Sequence, residues 1–240
     1  SWNGFLRDLW FIALAKLGRH RIVLHLKGGS YDNFYNSLGN FRQWVVRKTL
    51  SGADCIIVLG TSLTPMFDFV PNSVDKIIVV SNGCPLPEEA LPSVAKSLPK
   101  TDSEEPIKLL YLSNLIDSKG YRDVLQAVAI LKHVKKLKIL CRFCGQFLIA
   151  SDTRLFYNSD EAEVDFKAQL RALDIEDIVT WNGVVVGDEK IKVLNEAHFM
   201  ILPTKYNNEG QPVAIIEAMA MGAVVVGSRW RTIPDMLDGG

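Results

Sequence analysis

Apolar positions from Phe5 to Leu17 recur at helical spacing, and the short aliphatic run Arg21 to Leu26 behind them is closed by Gly28-Gly29. This predicts a helix followed by a strand that ends in a loop. The rhythm repeats as a helix over Phe41 to Thr49, a strand over Cys55 to Leu59, a short helix over Thr61 to Phe69 and a strand over Lys76 to Val80. These strand runs are apolar without alternation, as in strands covered on both faces, so they predict a parallel sheet flanked by helices.

Between Pro85 and Pro106 the pattern lapses: five of the ten prolines fall there, among Glu88, Glu89, Asp102, Glu104, Glu105 and several serines. Such a stretch reads as a linker, dividing the chain into a first half over 1–84, a linker over 85–106 and a second half over 107–240. In the second half strands are predicted at Lys108 to Leu112, Lys138 to Phe143, Ile178 to Trp181, Phe199 to Leu202 and Ala223 to Val226. Helices are predicted at Tyr121 to Leu131, Glu161 to Leu173, Lys190 to Glu196 and Pro212 to Met221. That set makes a complete nucleotide-binding half, and the whole predicts an α/β fold of doubly wound parallel sheets. The chain opens on Ser1 and stops at Gly239-Gly240 where another helix and loop should follow, so both ends are expected to be cut.

Composition narrows the function. Lys plus Arg and Asp plus Glu are balanced at 27 each, leaving no basic excess to neutralise a phosphate backbone, so nucleic acid is not an expected partner. The apolar run Leu9 to Ala15 stops at Lys16, far short of the ~20 residues of a spanning helix. Cys141-x-x-Cys144 has no second pair at ligand spacing, so Cys55, Cys84, Cys141 and Cys144 are expected to be reduced, buried small hydrophobes of a cytoplasmic protein.

The stretch from Leu202 to Gly222 carries the most chemistry. A buried strand delivers a polar loop holding Glu209, Gly210 and Gln211, and a helix begins at about Pro212, a residue suited to a first turn. Backbone N–H groups at Gly210 and Gln211, with the positive end of the helix dipole, suit the oxygens of a sugar or a phosphate. Glu217 interrupts the apolar run Val213 to Met221, and a carboxylate there needs a partner or a ligand. At ~1.5 Å per helical residue, Glu209 and Glu217 are expected on the order of 10 Å apart, about the span of a sugar joined to a ribose through a diphosphate. A lone pair of this kind is more often two solvated helix-end charges; the apolar surroundings of Glu217 argue otherwise.

Two strand ends add to this. Ser113 to Gly120 follows a strand and leads into a helix, placing Lys119 where an ammonium can meet a diphosphate, although a Lys-Gly pair alone reads more often as a surface lysine, and its weight comes from the pairing with the glutamates. His25, at the end of the first strand before Gly28-Gly29, suits a sugar hydroxyl or an acceptor proton, with a structural histidine as the plain alternative. No Asp-x-Asp follows an apolar strand, so no metal is expected to hold a diphosphate.

With these residues, the chain resembles the retaining GT-B glycosyltransferases of the large family 4 group, many of which build bacterial surface polysaccharides. The resemblance rests on two glutamates with seven residues between them, Glu209 and Glu217, followed by Ala-Met-Ala-Met-Gly and an apolar strand. It implies two Rossmann-like domains facing a cleft, the first lacking its N-terminal strands. The family's phosphate-binding arginine and lysine fall on Asn114 and Lys119, with Arg122 or Arg229 available to replace the missing arginine. Its active-site histidine matches His25. Gly210-Gln211-Pro212 stands where the family usually has Gly-Phe-Gly-Leu-Pro, which implies a subgroup. By resemblance, a nucleotide-sugar donor gives its sugar to a glycan or lipid-linked acceptor without a metal and with retention. Glu209 would position the sugar and stabilise developing charge, Glu217 would hold the ribose, and the departing phosphate would take the acceptor's proton.

Two other functions stay open on sequence. One is a non-catalytic nucleotide-sugar-binding protein of the same architecture, with Asn114 marking lost catalysis; the other is a sugar-nucleotide epimerase, which would convert the donor with no acceptor present. A dinucleotide oxidoreductase is disfavoured because no Gly-x-Gly-x-x-Gly joins a strand to a helix. The charge balance shows no strong basic patch for a membrane and leaves a loose peripheral contact open.

Overall fold

The computed structural model describes residues 1–94, 96–99, 104–150 and 155–237 and forms two compact units. The first holds Ser1–Asn82, the segment Asn207–Gln211 and the chain from Arg231 on; the second holds Gly83–Tyr206 and Pro212–Trp230. The division therefore differs from 1–84 and 107–240: Glu209 packs with the first unit, and much of the expected linker over 85–106 belongs to the second. Gly239-Gly240 and parts of that linker lie outside the described residues.

In the first unit, α1 (Trp2–Leu17) leads to β1 (Val23–His25), then α2 (Tyr31–Asn36), α3 (Asn40–Ser51), β2 (Cys55–Val58), a 3-10 helix over Thr61–Phe67 and β3 (Ile77–Val79). The strands pair in parallel in the order β1-β2-β3, with His25 opposite Ile57 and Ile56 opposite Ile77. Val46, Ile56, Val58 and Leu63 form the centre of the core, beside Tyr31, Tyr35, Phe67 and Phe69, whose rings stack. Pro65 lies inside the expected helix after β2, and only a 3-10 helix forms there. Asp235 ties down its start by accepting from Ser62 N and Ser62 Oγ at 2.9 and 2.8 Å. α2 was not expected from the sequence.

The second unit alternates β4 (Ile107–Leu112), α4 (Tyr121–His133), β5 (Ile139–Cys144), α5 (Ser159–Ala172), β6 (Val179–Trp181), α6 (Gly187–Glu196), β7 (Phe199–Leu202), α7 (Val213–Ala220) and β8 (Val224–Gly227). A last helix, α8 (Ile233–Leu237), belongs to the first unit. All five strands of the second sheet are parallel, in the order β6-β5-β4-β7-β8, with Tyr111 opposite Phe143 and Met200 opposite Val225. This is the expected doubly wound α/β sheet. Its core is aromatic: Phe143 stacks on Tyr111 at 5.3 Å and meets Phe166 edge-on at 5.3 Å, with Phe147 and Trp181 alongside.

All four cysteines are free, but only Cys141 and Cys144 are buried; Cys55 is half-buried and Cys84 exposed, which corrects the expectation of four buried thiols. Burial pushes the Cys144 thiol up to about 11 and keeps Cys141 protonated as well. Among the described residues, no helix is long and apolar enough to cross a membrane, and no group of three His, Cys, Asp or Glu side chains is arranged to hold a metal ion.

Candidate functional site

Strand order in the second sheet reverses between β4 and β7: the chain leaves β4 for β5 on one side and β7 for β8 on the other. At such a switch point the loops beyond the carboxyl ends diverge and leave room for a ligand. The loops after β4 and β7 meet there. Lys205 N donates to the Ser118 carbonyl at 2.6 Å, and Lys119 Nζ lies 5.3 Å from the centre of the Tyr206 ring. Gly120 turns the chain into α4 at φ 76°, and a Cβ on it would stand 2.6 Å from the Pro203 carbonyl oxygen. Only glycine meets both demands without strain.

Lys119 Nζ donates to Ser113 Oγ at 3.1 Å, which anchors the side chain at the carboxyl end of β4. Ser118 Oγ is buried with no hydrogen-bond partner among the described residues. A cation, a seryl hydroxyl and a tyrosine face suit a phosphate and the ring beside it. Asn114 lies in the same loop; its carbonyl accepts from the Tyr111 hydroxyl at 3.2 Å and from Ile116 N at 3.0 Å. The Tyr111 hydroxyl also reaches the Lys119 carbonyl at 3.5 Å, so Asn114 and Lys119 share one anchored stretch after β4. Arg122 is taken up elsewhere, its Nη1 lying 2.5 Å from Asp165 Oδ2, and Arg229 is exposed beyond β8.

Glu217 is 3% exposed on α7 and is neutralised within the second unit: Lys190 Nζ, on the first turn of α6, lies 2.5 Å from its Oε1. A buried carboxylate on an apolar helix is costly without such a partner. The partner was not visible in the sequence, because Lys190 reads as one more solvated charge in Gly-Asp-Glu-Lys.

In the first unit, Asn207–Gln211 lies across the carboxyl ends of all three strands. Beyond β1, Gly29 N donates to the Asn208 carbonyl at 3.4 Å. A Cβ on Gly210 would stand 2.0 Å from the Lys27 carbonyl oxygen and 3.2 Å from Leu59 Cδ1 beyond β2. Beyond β3, Asn82 N donates to Gln211 Oε1 at 2.6 Å and Asn82 Nδ2 to the Gln211 carbonyl at 3.3 Å. Thr232 Oγ1 donates to the Gly210 carbonyl at 2.5 Å. Glu209 is 7% exposed at the centre of this arrangement. Gly210 and Gln211 thus serve largely to seat the loop, and Pro212 caps α7 in the second unit. Asn82 and Thr232 hold this loop in place, and sequence reasoning missed both because neither lies near Glu209 in the chain.

His25 ends β1 with its side chain exposed and helps line a cavity of about 300 Å³ with Phe5, Asp8, Phe11, Tyr31 and Phe67. Among the described residues, no hydrogen bond of its side chain links it to Glu209.

Comparison with known proteins adds family membership. Residues 95–239 match the family described as glycosyl transferases group 1. Amylovoran biosynthesis glycosyltransferase AmsK of Erwinia amylovora is 30% identical over 138 residues, which cover 56% of this chain and 30% of AmsK. Among solved structures, HepE of Anabaena, in complex with UDP and glucose, superposes with a TM-score of 0.71 at 15% identity over 98% of this chain and 60% of its own. Sucrose-phosphate synthase of Thermosynechococcus elongatus gives a TM-score of 0.64 at 16% identity over 91% of this chain and 52% of its own. The chain therefore spans less than two thirds of each of these relatives. At such identities the structures establish the GT-B type of fold, while the family match covers more than half of the chain: the protein belongs to the glycosyl transferases group 1 family.

Proposed function

We propose that this chain is part of a cytoplasmic, retaining, metal-independent glycosyltransferase that moves a sugar from a nucleoside-diphosphate donor to a glycan or lipid-linked acceptor. The observation that carries this reading is the buried Glu217 on α7, paired with Lys190 in the same unit as the switch-point loops of Lys119 and Tyr206. A carboxylate that accepts two ribose hydroxyls and an ammonium that meets the diphosphate are the two requirements of donor recognition. The UDP and glucose in the HepE complex support a nucleoside-diphosphate donor, and amylovoran biosynthesis by AmsK supports a glycan acceptor.

In the reaction, the bond from the anomeric carbon to the β-phosphate oxygen breaks as the acceptor hydroxyl bonds to the same face. The leaving phosphate takes the acceptor's proton. Lys119 and the N-terminus of α7 meet the leaving charge, Glu209 stabilises the oxocarbenium-like carbon, and His25 orients a hydroxyl of the sugar or acceptor. The test is product analysis on the complete protein with a panel of UDP-, GDP- and dTDP-sugars in EDTA, with the product anomer read by NMR. The reading expects one donor to be consumed with retention, and Glu209→Ala to bind nucleotide yet turn over at least ~100-fold more slowly. Inversion, or complete loss of turnover on chelation, would overturn it. Donor conversion without an acceptor would instead identify an epimerase.

A further inference from the structure

We infer that Lys190 is a positioning residue for the donor: it fixes the Glu217 carboxylate in place so that it accepts the ribose hydroxyls of a nucleoside diphosphate. The inference rests on the donor site proposed above and assigns a role to a side chain outside the paired-glutamate motif.

It begins with α7, where every residue of Val213–Ala220 but Glu217 is apolar. The Glu217 side chain is 4% exposed, and a carboxylate in that setting needs a cationic partner. A carboxylate oxygen held in place presents a fixed acceptor to a diol that offers two donors. Lys190 supplies the cationic partner. It rises from the first turn of α6, the helix that precedes β7, and its ammonium binds Oε1 at 2.5 Å. Among the described residues no hydrogen bond reaches Oε2, so one oxygen is held by protein and the other is not. The Lys190 side chain is 29% exposed and keeps part of its hydration, which lowers the cost of the pair.

A purely structural role, in which the pair only ties α6 to α7, predicts something different. Both roles lower stability when Lys190 is replaced, but only the positioning role alters the recognition of the ribose. The discriminating quantity is the ratio of affinities for UDP and 2′-deoxy-UDP within each variant, which a change in the folded fraction leaves unmoved. Calorimetric titration would be run on wild type, Lys190→Met, Lys190→Gln, Lys190→Arg and Glu217→Gln, with thermal midpoints recorded in parallel.

A hydroxyl bonded to a charged acceptor is worth about tenfold or more in affinity. Wild type is therefore expected to favour UDP over the deoxy analogue by ~10-fold, Lys190→Met and Lys190→Gln to reduce that preference to ~2-fold, and Lys190→Arg to retain most of it. In a Glu217→Gln background, Lys190→Met should change neither affinity further. A preserved ribose preference in Lys190→Met or Lys190→Gln, whatever their midpoints, overturns the inference and leaves the donor site standing. A wild type that binds both ligands equally also overturns it. Failure of wild type to bind any nucleoside diphosphate removes the donor site and the inference together.

Discussion

Thr232 Oγ1 donates to the carbonyl oxygen of Gly210 at 2.5 Å, and Thr232 is fully buried. The bond joins two parts of the first unit that are 22 residues apart and fixes the loop that carries Glu209. Thr232→Val keeps the volume and removes the donor, so a buried carbonyl loses its partner. The expected cost is about 1–3 kcal/mol, read by urea unfolding. Thr232→Ser should recover most of it. Equal stability of Thr232→Val and wild type would detach this bond from the seating of the loop.

Gly120 tests the switch-point turn. Gly120→Ala adds a Cβ at φ 76°, 2.6 Å from the Pro203 carbonyl oxygen. The left-handed backbone alone costs a non-glycine residue about 1–2 kcal/mol, and the contact forces the loop apart. Because Lys119 precedes this turn, UDP affinity should fall by at least ~10-fold as the midpoint drops. A variant that binds UDP as well as wild type would mean that Lys119 is not held for the diphosphate by this turn.

His198 gives the second unit an acid sensitivity away from the site. Its Nδ1 accepts from Lys108 N at 3.0 Å, which requires an unprotonated nitrogen. Burial lowers its pKa, as do the Lys108 and Lys96 charges, while Glu105 opposes them. In the window below about 6.5 the unfolded chain therefore binds a proton that the folded chain refuses, so stability falls as the pH is lowered through it. His198→Asn retains an acceptor without the titration. Its midpoint should lose less than that of wild type between pH 7 and pH 5. Parallel pH curves for the two proteins would refute this role.

The eight strands were legible in the sequence because each is a short apolar run bounded by polar turns, the most direct signature of strands covered on both faces. α2 was not, since Tyr-Asp-Asn-Phe-Tyr-Asn mixes turn-forming residues with aromatics whose burial depends on Phe67 and Phe69 across the unit. The expected linker over 85–106 had a linker's composition, yet Lys96 Nζ donates to the carbonyls of Leu194 and Ala197 and binds the segment to the second unit. Composition does not report such a contact.

The site was legible to the extent that its chemistry is local. Lys119 and Asn114 share one loop after one strand, and the structure keeps them there. The seat of Glu209 was hidden because it depends on backbone approach, with Gly210 against the Lys27 carbonyl, which a pattern of side chains does not encode. Lys190 was hidden for a related reason. Its partner lies 27 residues away on another helix, beyond any spacing rule of helix or strand.

The most direct test of the account is titration of this chain and of Glu217→Ala with UDP, GDP, ADP, dTDP and CMP by thermal shift. A ligand at about a hundredfold its dissociation constant stabilises by about 2.7 kcal/mol, a shift of several degrees. The account predicts that one nucleotide raises the wild-type midpoint by that amount and leaves Glu217→Ala where it was. A nucleotide that shifts both proteins equally, or none that shifts wild type, would contradict a donor site built around Glu217.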